Sequence, residues 1–347
     1  MNAPYGLGLV VGKFAPLHKG HVLVLERAAS LCQQVVVISY SNPELPGYEP
    51  DRREAWLKAC FPSATVLVVT PDRLARWFPT GDAPVIPAND SPDVSQRQFV
   101  ATLCTRVLHS HVDVVFTSED YGDGFAAHLT ERFRATSPRH PAVQHILVDR
   151  KRRAVPISST DLRDNLWRHW SYLPPIVARS LVRRVTFLGG ESSGKTALAT
   201  RLAAELETEC AAEYGRELWE EKNGDLAYED MTLIAREQIR REDAAVNAAG
   251  GFVFCDTSPL TTLFYSLDIF GRADTELVTA AKRAYSTVVL CAPDFPFVQD
   301  GTRRDEAFRA KQHAWYESEL GARGVFYATA LGSLAERSQF VRHLLGL

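Results

Sequence analysis

Short apolar runs separated by helix-like stretches recur along the chain. Leu7 to Val11 is the first, and Val35 to Ile38, Thr65 to Val69, Val112 to Phe116 and Ile146 to Val148 follow it. After His21, Leu25, Ala28 and Cys32 share one helix face. Val185 to Leu188 opens a second series, and its helix repeats Leu198, Leu202 and Leu206 every fourth position. Phe252 to Thr257, Thr287 to Leu290 and Val325 to Ala328 continue that series, which closes on a helix over Leu334 to Leu345. Strands alternating with helices predict α/β units with mainly parallel sheets, which take ligands at the carboxyl ends of their strands. Between the two series, Asn165 to Arg183 is rich in aromatics, and Pro174-Pro175 is expected to break any helix. The expected organisation is a first domain over 1–172, a linker over 173–183 and a second domain over 184–347. Trp167, Trp170 and Tyr172 read as packing between domains.

Composition narrows the function classes. A chain of 347 residues with 46% hydrophobic content holds enough apolar mass for two cores. Its formal net charge of −3 argues against general nucleic-acid binding. Cys32, Cys60, Cys104, Cys210, Cys255 and Cys291 stand far apart with no C-x-x-C pair, as reduced thiols do. No apolar run is long enough to span a bilayer and no signal-peptide pattern opens the chain, so a cytoplasmic protein without membrane partners is expected.

Two stretches carry phosphate chemistry. Gly189-Gly190-Glu191-Ser192-Ser193-Gly194-Lys195-Thr196 lies between a predicted strand and a predicted helix, the setting a P-loop requires. There glycines let backbone N–H groups curl around a phosphate, the lysine reaches the β- and γ-phosphates, and the threonine hydroxyl binds Mg²⁺. Phe252 to Thr257 ends in Asp256, placed to hold Mg²⁺ or to accept a proton beside such a loop. In the first half, Gly12-Lys13-Phe14-Ala15-Pro16-Leu17-His18-Lys19-Gly20-His21 spans another strand-to-helix turn. Its imidazoles can donate to phosphate oxygens, Gly20 permits close approach, and the helix amino terminus favours an anion. A metal site is disfavoured there, because no third ligand stands at usual spacing. Ile157-Ser158-Ser159-Thr160-Asp161-Leu162-Arg163 reads either as an ordinary helix cap or as a second set of triphosphate donors.

These two first-half stretches resemble the nucleotidylyltransferase superfamily, whose members carry H-x-G-H and ISST-x-x-R signatures on a Rossmann-like sheet. Joined to GGESSGKT, they resemble the bifunctional NAD-biosynthesis proteins of the NadR type. The likeness extends through Asp51-Arg52-Arg53-x-x-Trp56-Leu57, Thr117-Ser118-Glu119, Leu147-Val148-Asp149-x-Lys151-Arg152 and Glu213-Tyr214-Gly215-Arg216. It implies transfer of AMP from ATP to nicotinamide mononucleotide, giving NAD and pyrophosphate, and phosphorylation of nicotinamide riboside by a second ATP. It implies ATP binding by Gly12, Lys13, Phe14, His18, His21, Ser159, Thr160 and Arg163 in the first domain and by residues 189–196 in the second. It also implies riboside contacts from Glu213, Tyr214 and Arg216, a lid carrying Arg303 and Arg304, and Mg²⁺ on Thr196 and Asp256. Catalysis is expected from His18, His21, Lys195 and Asp256, in a chain that self-associates.

Three departures qualify the likeness. Enteric members open with a helix-turn-helix repressor domain, whereas this sequence starts at its first strand, so DNA-binding regulation is not expected. Ile86-Pro87-Ala88-Asn89-Asp90 lacks the family's tryptophans, which leaves the nicotinamide ring without an assigned reader. Ser258 stands where the family's D-T-D has its second aspartate, and this admits an alternative in which the second domain senses ATP without phosphorylating. FAD synthesis is a further rival, but its riboflavin kinase is a β-barrel without a P-loop.

Overall fold

The computed structural model describes residues 3–297 and 304–347. The chain divides into two compact units, residues 1–180 and 181–347. In the first, the elements run β1 (Tyr5–Gly12), α1 (Lys19–Leu31), β2 (Cys32–Ser39), α2 (Pro50–Cys60), β3 (Thr65–Val68), α3 (Pro71–Trp77) and α4 (Asp93–Arg106). They continue with β4 (Val114–Thr117), α5 (Gly122–Thr136), β5 (Gln144–Leu147) and α6 (Ser159–Asp164), and α7 (Pro175–Leu181) follows. The sheet is parallel with order β3-β2-β1-β4-β5, so the strand order reverses beside β1, between β2 and β4. In such sheets the crevice at that reversal receives the ligand. Leu9, Val36, Ile38 and Val115 from the strands pack against Phe99, Phe125, Leu129 and Phe133 of α4 and α5.

The second unit contains β6 (Arg183–Leu188), α8 (Lys195–Glu205), β7 (Glu209–Ala211), α9 (Tyr214–Glu221), α10 (Tyr228–Ala245) and β8 (Phe252–Asp256). It ends with α11 (Pro259–Phe270), α12 (Thr275–Ala280), β9 (Thr287–Cys291), α13 (Glu306–Ala322), β10 (Ala328–Ala330) and α14 (Leu334–Leu345). Its sheet is also parallel, with order β10-β9-β6-β8-β7, so β6 is central. Leu188 and Leu290 pack under Ile234, Leu260, Leu263 and Tyr316.

Several boundaries differ from the sequence expectation, each for a local reason. Cys32 opens β2 opposite Tyr5 instead of closing the helix, because α1 and β2 meet with no intervening loop. Pro175 starts a helix within the expected linker, since proline at a first helical position forfeits only an N–H with no partner in any case. Trp56 Nε1 donates to Ser180 Oγ at 2.8 Å, which binds this stretch to the first unit. The last strand begins at Ala328, three residues late, because Val325 N–H still bonds Leu320 at the end of α13. Among the described residues no helix is long and apolar enough to cross a membrane.

Candidate active sites

β1 delivers Gly12 to the sheet's reversal point, and the loop that follows turns back on itself at Phe14, whose φ of 51° is left-handed. Phe14 is buried, and its ring meets His21 edge-on at 4.9 Å. His18 caps α1: its Nδ1 accepts the Gly20 N–H at 3.1 Å. A Cβ on residue 20 would lie 2.9 Å from His18 Cε1, so glycine is what lets the ring lie over the helix start. The two imidazoles stack at 3.8 Å. Burial first, then the Arg152 charge, pushes His18 down to about 4, and burial holds His21 well below the ordinary value. Both rings are therefore neutral near pH 7. With Nδ1 accepting, the His18 proton sits on Nε2, free to donate to an anion.

Arg163 joins the two signature stretches. Its Nη1 donates to Ala15 O at 2.6 Å and its Nη2 to Thr160 Oγ1 at 3.0 Å. Ser158 and Asp161 form a capping box for α6, so the cap reading of that stretch holds for Ser158, and Ser158, Ser159 and Thr160 all line the cavity. A cavity of about 350 Å³ is lined by all eight expected residues: Gly12, Lys13, Phe14, His18, His21, Ser159, Thr160 and Arg163. Arg152, Glu119 and Tyr121 line it too. Arg53 is a residue the motif reading passed over. It is fully buried, donates to Lys13 O at 3.4 Å, and is held by Glu44 at 2.9 Å. Its only sequence signal was its place in Asp51-Arg52-Arg53.

In the second unit the P-loop leaves β6 through Gly189 at φ 140°, where a Cβ would lie 2.6 Å from the Cys291 carbonyl. Lys195 Nζ donates to the carbonyls of Gly189 and Gly190, each at 3.0 Å. A cavity of about 1160 Å³ opens here, lined by residues 191–196 and by Glu213, Arg216 and Arg304. Trp219, Leu226, Met231, Ile234 and Tyr265 supply apolar and aromatic walls that no motif signalled. Glu191 is spent on protein groups: it accepts from Tyr265 Oη at 2.9 Å and from Arg304 N at 2.8 Å. Tyr214 instead lies under the Arg241 guanidinium at 4.6 Å. Arg303 falls outside the described residues. Arg309, on α13, is buried and donates to Phe295 O at 2.9 Å, so it serves the fold.

Asp256 lies beside the Thr196 side chain, and its Oδ1 is buried with no partner. Burial, with the Asp256 carboxylate beside it, pushes Glu213 up to about 7. Thr257 sits at φ 88°, an outlier for a β-branched residue, and its hydroxyl bonds Thr261. Ser258 is 2% exposed and caps α11, accepting from Leu260 N at 3.2 Å. It is not among the cavity-lining residues, and serine and aspartate cap helices about equally well. The feature that kept the sensing alternative open therefore lies outside the pocket.

The folds and the two cradles define a two-part nucleotide-handling protein: a cytidylyltransferase-like unit, matched over residues 9–165, and an AAA-type P-loop unit, matched over 184–337. The trifunctional NAD biosynthesis/regulator protein NadR of Escherichia coli is 30% identical over 86% of this chain and 71% of its own. The protein of that name from Salmonella typhimurium matches equally, at 30% over the same shares. The chain belongs to the NadR family. The fold is shared with a crystal structure of NadR protein in complex with NAD and AMP-PNP, at TM-score 0.68 and 21% identity over 99% of this chain and 97% of that one. A 61-residue stretch is 43% identical to phosphopantetheine adenylyltransferase of Micrococcus luteus, covering 17% of this chain and 39% of that protein.

Proposed function

We propose that the chain makes NAD in two steps: the second unit phosphorylates nicotinamide riboside with ATP, and the first transfers AMP from another ATP to the resulting mononucleotide. The observation that carries this reading is that both sheets present an anion cradle at the carboxyl end of their central strand. Family relatives named for NAD biosynthesis, and NadR structures holding NAD, AMP-PNP or NR, support the substrate class.

In adenylyl transfer the attacking phosphate is already anionic, so no general base is needed, and catalysis is positioning and charge stabilisation at the α-phosphorus. His18 Nε2–H, His21, Lys13 and Arg163 donate to the ATP phosphates, with His21 nearest the transferring group. The first turn of α6, with Ser159 and Thr160, closes on the same anion.

The kinase acceptor is a neutral hydroxyl, so a proton must leave. Glu213 lines the cavity and Asp256 does not, so Glu213 takes that proton. An orphaned buried carboxylate oxygen beside a P-loop threonine fits Mg²⁺, which keeps most of its ligands as water and phosphate oxygens. Asp256 and Thr196 would hold that ion, and when bound it neutralises charge on the phosphates. Trp219 and Tyr265 wall the riboside's ring.

The test is product analysis. Protein with Mg-ATP and riboside should yield ADP and mononucleotide, and with mononucleotide it should yield NAD and pyrophosphate. Absence of either product pair removes that half of the proposal.

The neutral imidazoles also set a pH dependence of stability. Above about 6.5 the folded and unfolded chains both carry neutral rings, so His18 adds no pH slope. Between 6.5 and about 4 the unfolded chain binds a proton that the folded one refuses, so stability is lost as pH is lowered through that window. For His18 the loss is roughly 3 kcal/mol when complete. Thermal unfolding of the first unit from pH 7.5 to 4.5 should show this fall, and it should be shallower in His18→Gln. Equal slopes in the two proteins would contradict the neutral assignment.

A further inference from the structure

Arg337, on the first turns of α14, is 2% exposed and lies 142 positions beyond Lys195 in the chain, yet it reaches the P-loop. Nη1 donates to Ser193 O at 2.7 Å, Nη2 to Ala292 O at 2.8 Å and to the Asp294 carboxylate, and Nε to Gly332 O at 2.9 Å. The guanidinium also lies 4.9 Å from the Phe295 ring centroid, and a Cβ on Gly194 would meet that ring at 3.4 Å. One buried cation thus ties the end of β9, the turn before α14 and the P-loop together.

The geometry points to Arg337 as the positioning residue that sets the P-loop's phosphate-facing N–H groups. The peptide between Ser193 and Gly194 is planar and trans, so its C=O and N–H point in opposite directions. Holding the Ser193 carbonyl against the guanidinium fixes the Gly194 N–H on the other side, in the wall of the cavity that Ser193, Gly194 and Lys195 line. Gly194, at φ 78°, has no side chain to resist rotation, so an external anchor is what keeps the N–H aimed. Lysine cannot replace it, since a single ammonium lacks the planar fork that reaches all four acceptors.

The test measures the KM for ATP in both reactions of the full chain, reading ADP for the kinase and pyrophosphate for the adenylyltransferase. This readout rests on the kinase reading above. In Arg337→Lys the kinase KM for ATP should rise at least about tenfold, the share of one hydrogen bond to a charged group. The riboside KM and the adenylyltransferase KM should stay within about twofold. Methylguanidine added to Arg337→Ala should restore part of the ATP affinity, which a residue needed only for folding would not allow. An unchanged kinase KM for ATP, or equal losses for ATP and riboside with no rescue, overturns the proposal. If the wild type phosphorylates no riboside, the kinase reading fails and calorimetry with AMP-PNP decides on Arg337. Two sites in the wild type and a weakened one in Arg337→Lys support its role, and identical titrations end it.

Discussion

His21→Ala is expected to lower pyrophosphate formation from ATP and mononucleotide on the order of a hundredfold or more, with riboside phosphorylation unaffected. The loss should appear in kcat. His21 lies against Phe14 at 4.9 Å and against His18 at 3.8 Å, so its ring is fixed before substrate arrives. Such a donor costs no reorganisation when charge shifts at the α-phosphorus, and in a closed cavity it is worth more than in water. Because the nucleophile is already ionised, no other residue can compensate by acting as a base. Initial rates at saturating ATP measure this, with the thermal unfolding of the first unit as the folding control. Turnover close to wild type, in a variant that remains folded, would remove His21 from the chemistry.

Lys195→Ala is expected to reduce kcat/KM for riboside phosphorylation on the order of a thousandfold, while NAD formation from the mononucleotide continues. Nζ already bonds the carbonyls of Gly189 and Gly190, so its ammonium is held over the loop where a γ-phosphate would enter. Alanine removes that charge and leaves two loop carbonyls without their donor. The second effect loosens the loop, and the first leaves the transferring phosphoryl group's negative charge without a counter-ion. ADP release measured with and without riboside separates transfer to substrate from background hydrolysis. Kinase efficiency within tenfold of wild type would show that the lysine is not part of the transfer.

Both cradles were legible in the sequence because each is built mainly from consecutive residues. A glycine-lysine-threonine turn or a pair of imidazoles flanking Lys19-Gly20 keeps its meaning within ten positions. Apart from β7, which no apolar run announced, the strands were legible as apolar runs, but their ends were not, because pairing partners decide where a ladder stops. Ala328 begins β10 only because it lies opposite Val289, while Val325 remains bonded to the helix before it. Arginines were the hardest to read. Arg53, Arg309 and Arg337 look like surface charges in a string of letters, and the fold buries all three against backbone carbonyls. The walls of the larger cavity were equally hidden, since Trp219, Met231 and Tyr265 come from three different helices.

Ser258 has a wider consequence for how such chains are classified. A residue that serves the start of a helix answers to the geometry of free N–H groups, and any short oxygen-bearing side chain meets that demand. Serine meets it here by accepting from the Leu260 N–H. A signature that scores the letter would set this chain apart from its relatives, whereas one that scores the duty would keep it beside them.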